Sequence, residues 1–135
     1  MRLGTMTSLF RDRRECAEHF GYIESIQRCR KAGFTVLDMN LCALNRRQTT
    51  LHLANWQEQV DEIRNEAERL GCVFSQSHPP YRRGREGTFA TAEEEAFFRA
   101  MSLRALEITA MLGAKWAVIH PVMDVTADIN DVDAH

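Results

Sequence analysis

Two histidines stand before prolines at the ends of apolar runs: His78 in "CVFSQSHPPY", Cys72 to Tyr81, and His120 in "AKWAVIHPV", Ala114 to Val122. Proline has no N–H to give to a sheet ladder and biases the residue before it toward extended geometry. Each histidine is therefore expected as the last ordered residue of a strand, with its ring at the strand's mouth. A neutral imidazole there can bind a metal, hydrogen-bond a hydroxyl, or carry a proton near neutral pH. The plainer reading of either ring is a hydrogen bond to a neighbouring loop, but two rings at equivalent positions favour a site. A second polar pair, Asp38 and Asn40 in "AGFTVLDMNL", stands two residues apart and so on one side of a strand. Polar groups on apolar strands must find partners or serve a purpose.

Other chemistry-bearing residues carry weaker signals. Thr7, Ser8 and Phe10 follow the first apolar run. Arg46, Arg47, Arg82, Arg83 and Arg85 fall in two loops that could share a mouth and bind phosphate, although a solvated charge run is the favoured reading. His19 and His52 read as surface residues, and His135 is terminal. The acidic stretch "DVTADINDVDAH" lacks the central Gly and closing Glu of a calcium loop, and reads as a loop opening a further helix with Asp128 near its cap. No G-x-G-x-x-G or G-x-x-x-x-G-K-[ST] cradle for phosphates is present. Cys16, Cys29, Cys42 and Cys72 form no C-x-x-C pair, so they read as reduced, mostly buried thiols of a cytoplasmic protein.

The elements that must position these residues repeat one plan. Gly33, Gly71 and Gly113 each follow a helical pattern and precede a strand-like one, at intervals of roughly forty residues. Glycine suits a position that closes a helix with positive φ. Trp56, Val60, Ile63, Ala67 and Leu70 form one stripe of a helix, with Asn55 as its expected N-cap and Glu58 three residues on. Phe97, Met101, Ile108 and Leu112 mark the face of another, opened by Thr91 and Glu94 at capping-box spacing. A vaguer first helix, with Tyr22, Ile26 and Cys29 facing inward, starts between Glu15 and Tyr22. Strands are expected near residues 2–8, 35–41, 72–77 and 116–120. Their Val36, Leu37, Val73, Phe74, Val118 and Ile119 suggest burial on both faces.

Strand alternating with helix implies an α/β fold with parallel pairing and right-handed crossovers. Two architectures fit: part of a closed (β/α) barrel, or a small open doubly wound sheet. The 135 residues suit one domain. A formal net charge of -2 argues against general binding to nucleic acid or anionic membrane. No apolar run approaches the roughly 18 residues of a membrane span, and the start of the chain does not read as a signal peptide.

"AGFTVLDMNL", "SHPPYR" and "GAKWAVIHPV", in this order and spacing, resemble the first half of the xylose isomerase-like (β/α)8 barrels. The resemblance covers about Arg2 to Val122 and implies a partial barrel over 1–135, with four strands and three helices. It implies part of a sugar or sugar-phosphate isomerase or epimerase, working by metal-assisted proton transfer next to a carbonyl. His78, His120, Asp38 and Asn40 would line the pocket for a small carbohydrate or sugar phosphate. The complete barrel would use a divalent metal (Mn, Mg, Co or Zn). In the zinc-dependent abasic-site endonuclease branch, the alternative, His78 and His120 would themselves be metal ligands. The net charge disfavours that branch. A full barrel takes about 250 residues. Relatives draw most of their metal-binding and acid/base carboxylates from strands five to eight, which have no counterpart here. The isolated chain is thus expected to be inactive, and to be a fragment of a longer protein or a half-barrel that a second copy or partner half completes.

Overall fold

The computed structural model describes residues 2–9, 21–81, 89 and 91–120. Phe10, Cys16, His19, Arg82, Arg83, Arg85, Pro121, Val122, Asp128 and His135 lie outside the described residues. The elements run β1 (Gly4–Met6), α1 (Tyr22–Lys31), β2 (Val36–Asn40), α2 (Trp56–Arg69), β3 (Val73–His78), α3 (Ala92–Met111) and β4 (Trp116–Ala117). Two short 3-10 turns, Leu44–Arg46 and Thr50–His52, fill the connection between β2 and α2.

The strands form one parallel sheet in the order β1-β2-β3-β4. That order separates the two architectures left open by the sequence. A doubly wound sheet reverses its strand order at a switch point, whereas a barrel adds each strand beside the last. Here every strand pairs with its successor, as in a barrel.

The three glycines close their helices as expected: φ is +94° at Gly33, +66° at Gly71 and +69° at Gly113. Thr91 caps α3, its hydroxyl accepting from the Glu94 N–H at 3.1 Å. Asn55 differs from expectation. It holds the N-cap position of α2, but its side chain makes no cap bond and instead accepts from Gln59 Nε2. Its backbone, at φ -89° and ψ 24°, is not the extended form from which a capping side chain reaches the first turn.

The helices bury one face of the sheet. Leu37, Met39 and Phe74 meet Ile26, Cys29, Val60, Ile63, Ala67, Met101, Ala105 and Ile108 in a single cluster. The expectation of burial on both faces is not met. Val73 is 48% exposed, Ile119 65% and Trp116 70%, because no described element covers the second face. Cys29 and Cys72 are buried free thiols, and Cys42 is half-buried. Burial pushes all three thiols above their ordinary pKa, as suits packing rather than reactivity. No helix among the described residues is long and apolar enough to cross a membrane.

Candidate functional site

The carboxyl ends of the strands gather the polar residues. In β2, Leu37 and Met39 point into the helical layer at 0% exposure, which turns Asp38 and Asn40 to the open face. Strict alternation in β3 would put Gln76 and His78 on the same face as buried Phe74. The pairing prevents this. Leu37 pairs with Phe74, but Asp38 pairs with Gln76, so Ser75 is an extra residue, a one-residue bulge. After it, Ser77 joins Met39 on the helical face, while Gln76 and His78 join Asp38 and Asn40 on the open one.

His78 Nδ1 lies 2.9 Å from Asp38 Oδ1, and Gln76 Nε2 donates to Asp38 Oδ2 at 2.7 Å. The His78 and Asp38 side chains are 16% and 13% exposed. The His120 ring stands 5.9 Å from that of His78, and the Tyr81 ring 5.1 Å from that of His120. His78 is the last residue of β3, as its proline implied. His120 is not the end of β4: that strand closes at Ala117, and the Val118 N–H to Ser77 carbonyl bond at 2.8 Å is the last rung toward β3. His120 is exposed, three residues further on.

Asn40 is committed to its neighbours. Its Nδ2 donates to Ser8 Oγ at 2.8 Å and its Oδ1 accepts from the Cys42 N–H at 3.0 Å. Thr7, 2% exposed, accepts from the Asn40 N–H through its hydroxyl, and the Tyr22 hydroxyl donates to the Asn40 carbonyl. The ends of β1, β2 and α1 are thus tied at one point. Arg46 is exposed, and Arg47 stacks its guanidinium 4.6 Å from the Phe97 ring centre, so neither reaches the histidines. Arg104, passed over in the sequence, holds the loop after β2 by donating to the carbonyls of Leu51, His52 and Leu53. His52 is half-buried, with its Nδ1 against the Thr49 carbonyl.

A shallow cavity of about 390 Å³ lies on the open face below the cluster, lined by Gly4, Thr5, Met6, Val36, Asp38, Ser75 and Gln76. A larger hollow of about 510 Å³, beside Arg2, Thr35, Glu68 and Gly71, sits at the opposite ends of the strands. The first cavity shares Asp38 and Gln76 with the cluster and runs from there along the open face to Gly4 and Val36, where β1 and β2 begin. Gln76 is the residue that sequence reasoning missed; it stands two before His78, as Asp38 stands two before Asn40.

A scan against protein-family models and a search of curated proteins found no match. Among solved structures, the chain is similar to a D-psicose 3-epimerase crystallised in the presence of D-fructose, with a TM-score of 0.53 and 18% identity. The match covers 87% of this chain and 36% of that one. The chain has the fold of part of a (β/α)8 barrel, with four parallel strands in sequential order. The half-barrel spans well under half the length of that neighbour.

The divalent metal implied by the resemblance does not fit the described residues. Among them no three His, Cys, Asp or Glu side chains could hold a metal ion together. His78 and His120 alone fall short of the three protein ligands usual for catalytic zinc, and His78 Nδ1 already faces Asp38.

Proposed function

We propose that this half-barrel is the N-terminal part of an isomerase- or epimerase-like enzyme that moves a proton next to the carbonyl of a small carbohydrate or sugar phosphate. The observation that carries the reading is the Gln76–Asp38–His78 cluster, hydrogen-bonded and mostly buried at the carboxyl ends of β2 and β3 beside the His120 ring. The likeness in fold to a sugar epimerase supports it. In this reading His78 and His120 meet substrate hydroxyls, Asp38 acts behind His78, and Asn40 braces the pocket wall. The carboxylates that move the proton, and any metal, belong to the other half of the barrel.

The test is an exchange assay on the complete barrel. Ketoses and sugar phosphates are incubated in D2O, and deuterium is sought by proton NMR at the carbon next to the carbonyl. His78→Ala and His120→Ala should each lower turnover about 10- to 100-fold, the worth of one or two lost hydrogen bonds of about 1–3 kcal/mol. Unchanged turnover in both variants would remove the two rings from the site.

The open face supports a second reading, in which the chain is a module without turnover that associates with its own copies. Trp116 and Val73 are 70% and 48% exposed there.

A further inference from the structure

Both oxygens of the Asp38 carboxylate face protein donors, and the order of the bonds fixes where the protons lie. The Gln76 amide nitrogen, 2.7 Å from Oδ2, can only donate. An ionised carboxylate can only accept. The proton in the 2.9 Å contact between Asp38 Oδ1 and His78 Nδ1 therefore sits on Nδ1. At 13% exposure of Asp38 and 16% of His78, little water competes for these bonds.

We propose that Gln76 and Asp38 are positioning residues that lock neutral His78 in its Nδ1–H form, leaving Nε2 as an acceptor for a ligand hydroxyl. For the identity of that ligand the proposal rests on the carbohydrate reading above. Histidine in water prefers the opposite form, with the proton on Nε2, so the lock reverses the intrinsic preference of the ring. Among the described residues none is hydrogen-bonded to Nε2. The consequence is selectivity: a hydroxyl can donate to this nitrogen, whereas a carbonyl oxygen would meet a lone pair with its own. His78 then recognises a hydroxyl-bearing carbon of the ligand rather than its carbonyl. The one-residue bulge at Ser75 absorbs the extra residue of β3, so that Gln76 and His78 reach the face of Asp38.

The experiment reads the tautomer directly and needs no turnover. The protein is labelled with 15N on histidine, and long-range proton–nitrogen correlations are recorded at a pH where the rings are neutral. His78 is identified by its missing signal in His78→Gln or, should that variant not fold, by through-bond assignment of the parent. The expected result is a pyrrole-like Nδ1 and a pyridine-like Nε2 for His78. In Asp38→Asn the side-chain oxygen stays with the Gln76 donor and the new amide faces Nδ1, so the ring should switch to Nε2–H. In Gln76→Leu the loss of the orienting donor should give a mixture of both forms. A wild-type His78 carrying its proton on Nε2, or an Nδ1–H form retained in folded Asp38→Asn, overturns the lock. An unchanged tautomer in Gln76→Leu removes Gln76 from it. Titration with D-fructose then separates the two readings. A shift of the Nε2 resonance supports the hydroxyl contact, whereas a locked ring that does not respond overturns D-fructose as its ligand and upholds the lock.

Discussion

Ser77 is fully buried, and its hydroxyl lies 2.6 Å from that of Thr109. Thr109 has one proton, which it donates to the Ala105 carbonyl at 2.6 Å, so Ser77 must be the donor to Thr109. A hydroxyl in a core is tolerated only while it is paired. Thr109→Val keeps the shape but leaves the Ser77 proton without an acceptor, and should cost about 1–3 kcal/mol. Adding Ser77→Ala removes the orphan, so the double variant should recover most of that loss. Urea unfolding of both single variants and the double one measures the coupling. Equal losses that simply add would show that the pair does not interact. At this scale the sequence was only partly legible. His78 and Asp38 could be named because a polar residue on an apolar strand advertises itself. Their shared hydrogen bond could not, since it joins residues 40 apart in the chain.

The strand β3 shows how an element can mislead while its residues inform. Helix closures were readable because Gly33, Gly71 and Gly113 take backbone angles that side chains resist. The cap at Thr91 was readable because its partner is local, three residues on. The face of His78 was not, because alternation along "VFSQSH" groups it with Phe74, and only pairing with β2 reveals the bulge that separates them. The bulge yields a test of its own. Deleting Ser75 leaves Val73, Gln76 and His78 alternating regularly with Phe74 and Ser77, in the register already seen beyond the bulge. The variant gives up the Ser75 hydroxyl bond to the Leu37 carbonyl and the Lys115 N–H bond to the Ser75 carbonyl, both at 3.3 Å. At about 1 kcal/mol for each bond the loss should be modest, about 1–2 kcal/mol. The deletion variant should therefore fold, with His78 still paired to Asp38, as read by thermal unfolding and by the His78 nitrogen shifts. A folded variant in which that pairing is lost would show that the bulge shapes the site beyond setting its register.

At the scale of the whole molecule, alternating strands and helices were legible from the repeat of strand, helix and glycine, but that repeat left barrel and open sheet undecided until the strand order was seen, and the condition of the second face was not legible. Apolar strands read as buried on both sides, and a complete barrel would bury them so; here Trp116 and Val73 lie open on that face at 70% and 48% exposure. Trp116 pairs in register with Gln76, so its ring shares the face that carries Asp38. Among the described residues the outer edges of β1 and β4 also have no strand beside them. Open parallel edges and apolar surface favour association. Two copies related by a twofold axis can set β4 of each beside β1 of the other, giving eight parallel strands with no edge left. Sedimentation of the 135-residue chain should then show mass that rises with concentration toward a dimer. Trp116→Glu places a charge in the face to be buried and should shift the chain to monomer, with its far-ultraviolet circular dichroism unchanged. A wild-type chain that stays monomeric at every concentration would rule out closure by a second copy. The missing wall would then have to come from a different stretch of polypeptide, which is the arrangement the enzyme reading requires.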